Sequence, residues 1–481
     1  QHKGDYDRAV HDYDQAIKLD PKNASAFTER GNTYALRGKI DRALQDYEQA
    51  IKFNPNYAGV FNSRAMLWKR KGDLTRAIAD LDAALKLDPN FAVALNNRGA
   101  IYQQKGDLDR AIADYDRAIK ANPHFDIALN ARGMAYKAKG QLDRAVKDFD
   151  QAIAINSSFA IALFNRGETL EATGYHDRAL KDLDQVIKLN PSNAAAYNAR
   201  GQALANKRDY DRAIADFSQA VRLDGTLAAA YNNRGLAYRA KNDNDRAIAD
   251  FSQAAKIDPN YALAYSNRGN AYVDRHEYDR AIADFNQAIK LNPNYVRGYY
   301  DRGVAYGAKG DADKAIADFD HALKLDPKNA IALNNRGLAF RTKGDGDRAI
   351  ADFGEAIKIS QGYSTAYYNR ANAYLDRHDL DRAIADFDQA IKLDDKDALA
   401  WHDRGLAYYE KRDTAHAIAD FETAVKLSPN YAIAATPRAL RNQRGYDRDG
   451  AEGPQSFKLS PIFALAYDDR GIARAGKNEL D

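Results

Sequence analysis

A 34-residue period runs from Ala24 to Tyr431 without an insertion or deletion, giving twelve complete copies of one unit. A chain built this way does not gather around one round core, because each copy can bury its apolar faces only against its neighbours. In Ser364–Asp397 two amphipathic stretches flank a short polar turn. The second places Leu380, Ala383, Ile384, Phe387, Ala390 and Ile391 on one face of a 3.6-residue helix. The first does the same with Ala366, Tyr367, Arg370 and Tyr374. No stretch alternates with period two over a strand's length, so each unit is expected to be a helical hairpin and the fold all-α.

The punctuation agrees. Gly-Asp pairs such as Gly106-Asp107 and Gly310-Asp311 suit a left-handed helix end followed by a carboxylate cap. Pro55, Pro89, Pro123, Pro191, Pro259, Pro293, Pro327 and Pro429 close most units, where a helix must already have ended. The net charge of +3 with 29% charged residues gives no footprint for nucleic acid. With no Cys there is neither a disulfide framework nor a thiolate metal site, and the compartment stays open. No apolar run reaches the roughly 18 residues of a membrane span.

Four segments follow from the phase. Residues 1–23 supply the turn and second helix of a partial unit, 24–431 the twelve complete units, 432–463 a degenerate unit, and 464–481 one further first helix. Both ends fall inside a unit, so the chain reads as part of a longer array. Between 436 and 456, Pro437, Gly450, Gly453 and Pro454 fall where helices should be. A decayed repeat and a corrupted stretch of coding sequence are both compatible with this. Asp447, Asp449 and Glu452 do not match a calcium loop, because the Gly comes too early.

Small or aromatic residues at repeat positions 4, 8, 11, 20, 24 and 27, with Pro at 32, resemble the tetratricopeptide repeat; in Ala92–Phe125 they are Leu95, Gly99, Tyr102, Ala111, Tyr115, Ala118 and Pro123. The resemblance implies a right-handed superhelix, an α-solenoid of stacked antiparallel hairpins. First helices would line a concave groove that binds peptides or protein segments, and second helices would face outward.

One departure from the family pattern is systematic. Position 7 is Arg in every complete unit and position 23 is Asp. Arg98 with Asp114, Arg132 with Asp148, Arg268 with Asp284 and Arg336 with Asp352 could form a helix-to-helix ladder, as could Arg200 with Asp216 and Arg404 with Asp420. The competing partner for Asp114 is local, Arg110 four residues before it. An Arg on the packing face needs a counter-charge, which favours the ladder.

Binding chemistry is expected on first helices, at positions 2, 5, 6, 9, 12 and 13. Positions 5 and 6 are rich in Asn: Asn62, Asn96, Asn97, Asn130, Asn165, Asn198, Asn232, Asn233, Asn267, Asn334, Asn335 and Asn369. An amide both donates and accepts, so a row of them can hold a peptide backbone with little regard to its sequence. The position 6 members are similar to the asparagine ladder of O-linked N-acetylglucosamine transferases, with interruptions at Ala131, Ala199, Asp301 and Asp403. The bland alternative is an Asn-solvated helix face. Phe164, Tyr300, Tyr368 and Tyr409 replace polar residues there and are candidate anchors. Replacing Asn233, Asn267, Asn335 and Asn369 by Ala is expected to weaken binding and spare stability.

Other chemistries find no support. The basic pattern of the chaperone carboxylate clamp is not met, since position 5 never carries Lys and Arg297 faces Asp301. The nine His are dispersed, and His276 and His378 occupy the turn position usually held by Gly. Gly344 and Gly346 lack the rest of a phosphate loop. The expectation is a non-enzymatic scaffold without cofactor or metal, binding another protein or peptide. Two alternatives are a substrate-recruiting arm of a larger glycosyltransferase or protease, and an array that assembles with itself.

Overall fold

The structure, a computed structural model, describes residues 2–427. The expectations for 432–463 and 464–481 lie outside the described residues. The chain divides into two compact blocks, residues 1–225 and 226–481. Among the described residues there are 25 helices, and in each block they pack as consecutive antiparallel hairpins. In the first complete repeat the hairpin is α2 (Ala24–Leu36) and α3 (Ile40–Phe53); in the last it is α24 (Ala398–Glu410) and α25 (Thr414–Leu427).

The turns are built from the residues that the punctuation singled out. Gly38, Gly72, Gly106, Gly140, Gly174, Gly310 and Gly344 have φ between 73° and 90°, a conformation glycine adopts without steric cost. Arg208, Asn242, His276, His378 and Arg412 take the same left-handed conformation in the other repeats, so the position is fixed by the fold and not by glycine. The next residue caps the second helix: Asp73, Asp107, Asp209, Asp243 and Asp379 each accept from the backbone amide three residues on.

Hairpin closure is a size match between positions 8 and 24. Tyr115, Phe149, Phe217, Phe251, Phe285 and Phe353 are almost fully buried against Gly99, Gly133, Gly201, Gly235, Gly269 and Gly337. A Cβ on Gly235 would stand 2.7 Å from Phe251 Cε1, closer than packed carbons allow. Alanines at positions 3, 20 and 27, such as Ala94, Ala111 and Ala118, are fully buried and let neighbouring helices approach closely. The sequence period is therefore a packing period: one large apolar side chain per repeat, a ring in all but the repeats of Leu81 and Leu183, set among small residues.

The first-helix face as candidate binding site

The same repeat grammar places three recurring rows of cations, and carboxylates meet them. In every one of the twelve complete repeats the position 7 Arg grips the position 23 Asp of its own hairpin through Nε and Nη2. Arg132 Nε lies 2.8 Å from Asp148 Oδ2 and Nη2 lies 2.6 Å from Oδ1. Arg98 with Asp114, Arg268 with Asp284 and Arg336 with Asp352 have the same two-pronged geometry. In most repeats the remaining donor reaches back to position 25 of the preceding repeat, as Arg132 Nη1 does to Asp116 at 2.6 Å and Arg336 Nη1 to Asp320 at 2.6 Å, whereas Arg370 meets Gly354 there. At Arg268 the acceptor is Ser252, and at Arg302 it is Asn286. One guanidinium thus ties a hairpin together and ties it to its neighbour. Donation to the aspartates raises the pKa of Arg98, Arg132 and Arg336 above the ordinary arginine range, whereas burial raises Asp318 and Asp420 above the usual carboxylate range.

Arg110 is bound elsewhere. It pairs with its own helix cap, Asp107, at 2.6 Å and stacks 4.5 Å from the ring of Tyr102, so Asp114 is left to Arg98. Arg246 and Arg382 repeat this with Asp243 and Asp379, over Tyr238 and Tyr374. A third row joins the end of most first helices to the preceding second helix, as in Lys71–Asp41 at 2.9 Å and Lys411–Asp381 at 2.6 Å.

The Asn residues of positions 5 and 6 have partners that spacing within one repeat does not reveal. Position 6 of one repeat donates to position 5 of the repeat before it, 35 residues earlier. The pairs are Asn97 to Asn62 and Asn165 to Asn130 in the first block, and Asn267 to Asn232 and Asn369 to Asn334 in the second, all at 2.8–2.9 Å. Aromatic replacements keep the same spacing: Asn335 donates to the Tyr300 hydroxyl at 2.9 Å, and, with the direction reversed, the Tyr368 hydroxyl donates to Asp403 at 2.7 Å. His402 Nδ1 lies 3.0 Å from the other oxygen of Asp403. Asn165, Asn232, Asn334, Asn335, Asn369, Tyr300 and Tyr368 are buried, so in this conformation they link repeats and do not offer side chains to a passing segment. Truncating Asn335 and Asn369 would strip the Tyr300 hydroxyl and Asn334 of their donors, and the expectation that stability would be spared is corrected on that ground. The signal was present in the sequence as complementarity at a separation of 35, one more than the period.

What stays accessible is a shorter set. Asn62, Asn96, Asn97, Asn130, Asn198, Asn233 and Asn267 are half-buried, as is Phe164, which packs beside Leu163 and Val186. Tyr409 is exposed. Where the row is interrupted by Ala131, Asn96 Oδ1 has lost the donor its counterparts have, and it is a buried acceptor without a hydrogen bond. Among the described residues no group of three His, Asp or Glu side chains is placed to hold a metal ion, and no helix is long and apolar enough to cross a membrane.

Sequence models described as the TPR or tetratricopeptide repeat match residues 2–36, 69–106, 133–174, 235–275 and 269–310, 24–57 and 92–125, 171–228 and 300–364, and 371–444. No curated protein sequence matches the chain significantly. Three of the solved structures it is similar to follow. A tetratricopeptide repeat protein from Parabacteroides merdae ATCC 43184 is 22% identical, with 52% of this chain and 98% of that one covered and a TM-score of 0.41. The yeast Tom70 is 17% identical over 95% and 97% of the two chains, with a TM-score of 0.42. YrrB, described as a TPR protein with an unusual peptide-binding site, is 24% identical over 38% and 95%, with a TM-score of 0.34. With repeat matches along most of its length and a hairpin for each period, the chain belongs to the tetratricopeptide repeat family.

Proposed function

We propose that the chain is a non-catalytic interaction scaffold whose first-helix face receives an extended or helical segment of another protein. The recurring charges at position 7 and at most position 14 sites tie neighbouring repeats together, that at position 19 is engaged within its own hairpin, and polar and aromatic side chains vary between repeats along the first helices. The observation that carries the reading is the break in the amide row at Ala131. There Asn96 has an acceptor without a donor, beside the half-buried Asn97 and Asn130. A bound backbone amide, after a small rotation of Asn96, would supply that donor, and the neighbouring amides would hold the segment with little dependence on its sequence.

The test uses short random peptides displayed on phage and selected against the whole chain. Peptides recovered in this way should bind the variant N62A/N96A/N97A/N130A about tenfold more weakly, equivalent to about 1.4 kcal/mol, while its helicity is retained. Equal binding to the variant and the parent would remove the amide face from the function.

A further inference from the structure

One recurring cation is left over after cohesion is accounted for. Position 29, in the last turn of the second helix, is Lys in most repeats; in the first block Lys86, Lys120 and Lys188 are exposed, and none of the three enters an ion pair among the described residues. Their place next to a helix C-terminus is electrostatically comfortable, but that interaction leaves the ammonium groups in solvent. The same end of the hairpins carries the large apolar side chains with the greatest exposure in the complete repeats of this block apart from Leu36 and Tyr175. At position 2 of three successive first helices stand Val93, Ile127 and Ile161, exposed by 43%, 51% and 61%. Leu87, Ile155 and Leu189, each next in sequence to position 29, are exposed by 38–41%. Lone exposed aliphatics need no explanation, but a row repeated on consecutive hairpins and bordered by unpaired cations is an interaction surface. In the second block Leu263 at position 2 is exposed by 48%, but Ala229, Arg297 and Thr365 alternate with the aliphatics there, so no consecutive row forms.

We infer that this edge of the first block, where each second helix runs into the next first helix, docks an acidic amphipathic segment of a partner protein. Aliphatic side chains of the segment cover Val93, Ile127 and Ile161, and its Asp or Glu side chains meet Lys86, Lys120 and Lys188. Charge complementarity selects this occupant. The edge also carries Asp88 and Asp126, so its overall charge is modest and a uniformly anionic lipid surface, attracted at three points, would be repelled at two between them. A peptide can place its carboxylates individually. The edge borders the amide face of the proposed function but uses different residues, and the two can fail separately.

In the same phage selection, recovered peptides should combine Leu, Ile or Val with Asp or Glu. Their binding should fall about tenfold in V93S/I127S/I161S and likewise in K86E/K120E/K188E. Helicity should be unchanged, because these side chains lie at the surface; if the serine variant loses helicity, the lysine variant decides. Recovered peptides without acidic residues, or binding unaffected by the lysine exchange, would overturn the inference. Co-sedimentation of the parent but not the lysine variant with phosphatidylglycerol vesicles, with no peptide enriched, would overturn it in favour of a lipid surface. If binding is lost in N62A/N96A/N97A/N130A and preserved in both edge variants, the amide face stands and the edge does not.

Discussion

Along the first helices the two blocks use one repeat to different ends. In the second block the position 5 and 6 side chains are sealed from Tyr300 onward, although Asn233 and Asn267 before it are half-buried: Asn334 and Asn335 are completely inaccessible, and Tyr300, Asn369, Tyr368 and Asp403 are nearly so. In the first block the corresponding Asn62, Asn96, Asn97 and Asn130 are only half-buried, the row is broken at Ala131 and Ala199, and an aliphatic row lies open beside it. The Arg–Asp scaffold is the same in both. Cohesion and exposure are therefore separable in this array: position 7 holds the hairpin of every complete repeat alike, while positions 2, 5 and 6 decide whether a stretch of first helices is closed seam or open surface.

The largest expected effect tests what the blocks share. Arg132→Ala in the first block and Arg336→Ala in the second each leave a buried Asp without its guanidinium, which costs about 3–5 kcal/mol when such a pair is broken. Because each repeat contacts only its neighbours, the loss should appear as hydrogen exchange in the affected hairpin and the one before it, rather than as a uniform fall in stability. Equal losses are expected in the two blocks. A much smaller loss for one of them would mean that its scaffold has a different origin.

A smaller effect tests the sealed seam. Tyr368→Phe removes the hydroxyl that donates to Asp403, and the loss of a hydrogen bond to a buried carboxylate should cost about 1–3 kcal/mol in the melting of the final repeats. An unchanged melting curve would mean that the seam is held by ring packing alone. The smallest effect tests the open face. Ala131→Asn supplies the donor that Asn96 lacks and should raise stability by about 1 kcal/mol, with the amide row then continuous from Asn62 to Asn165. The same substitution should weaken recovered peptides if they use Asn96. No change in either quantity would sever the break in the row from function.

How much of this could be read beforehand depends on how far apart in sequence the interacting groups lie. Leu380, Ala383, Ile384, Phe387, Ala390 and Ile391 announce their helix through local spacing, and His276 and His378 announce their turns by replacing Gly. Arg98 and Asp114 are 16 residues apart inside one unit, so a single repeat contains both members of the ladder. Where an Arg has a second acceptor, as Arg132 and Arg336 do, it belongs to the repeat before. So do the partners of Asn97, Asn165, Asn335 and Asn369, and these are the groups whose exposure could not be judged from one unit. Tyr300 and Tyr368 looked like anchors because an aromatic at a groove position is normally accessible; their hydroxyls are instead taken by Asn335 and Asp403 on the next repeat.

By itself the sequence determined the hairpin, its length, its turn and its internal core, because hydrogen bonding within helices and the Gly-to-ring match at positions 8 and 24 are settled within 34 residues. Tertiary structure alone decided which polar side chains serve as links and which face outward. That outcome depends on the approach of one hairpin to the next, where an amide either meets a partner 35 residues away, as Asn62 does, or loses it to an alanine, as Asn96 does.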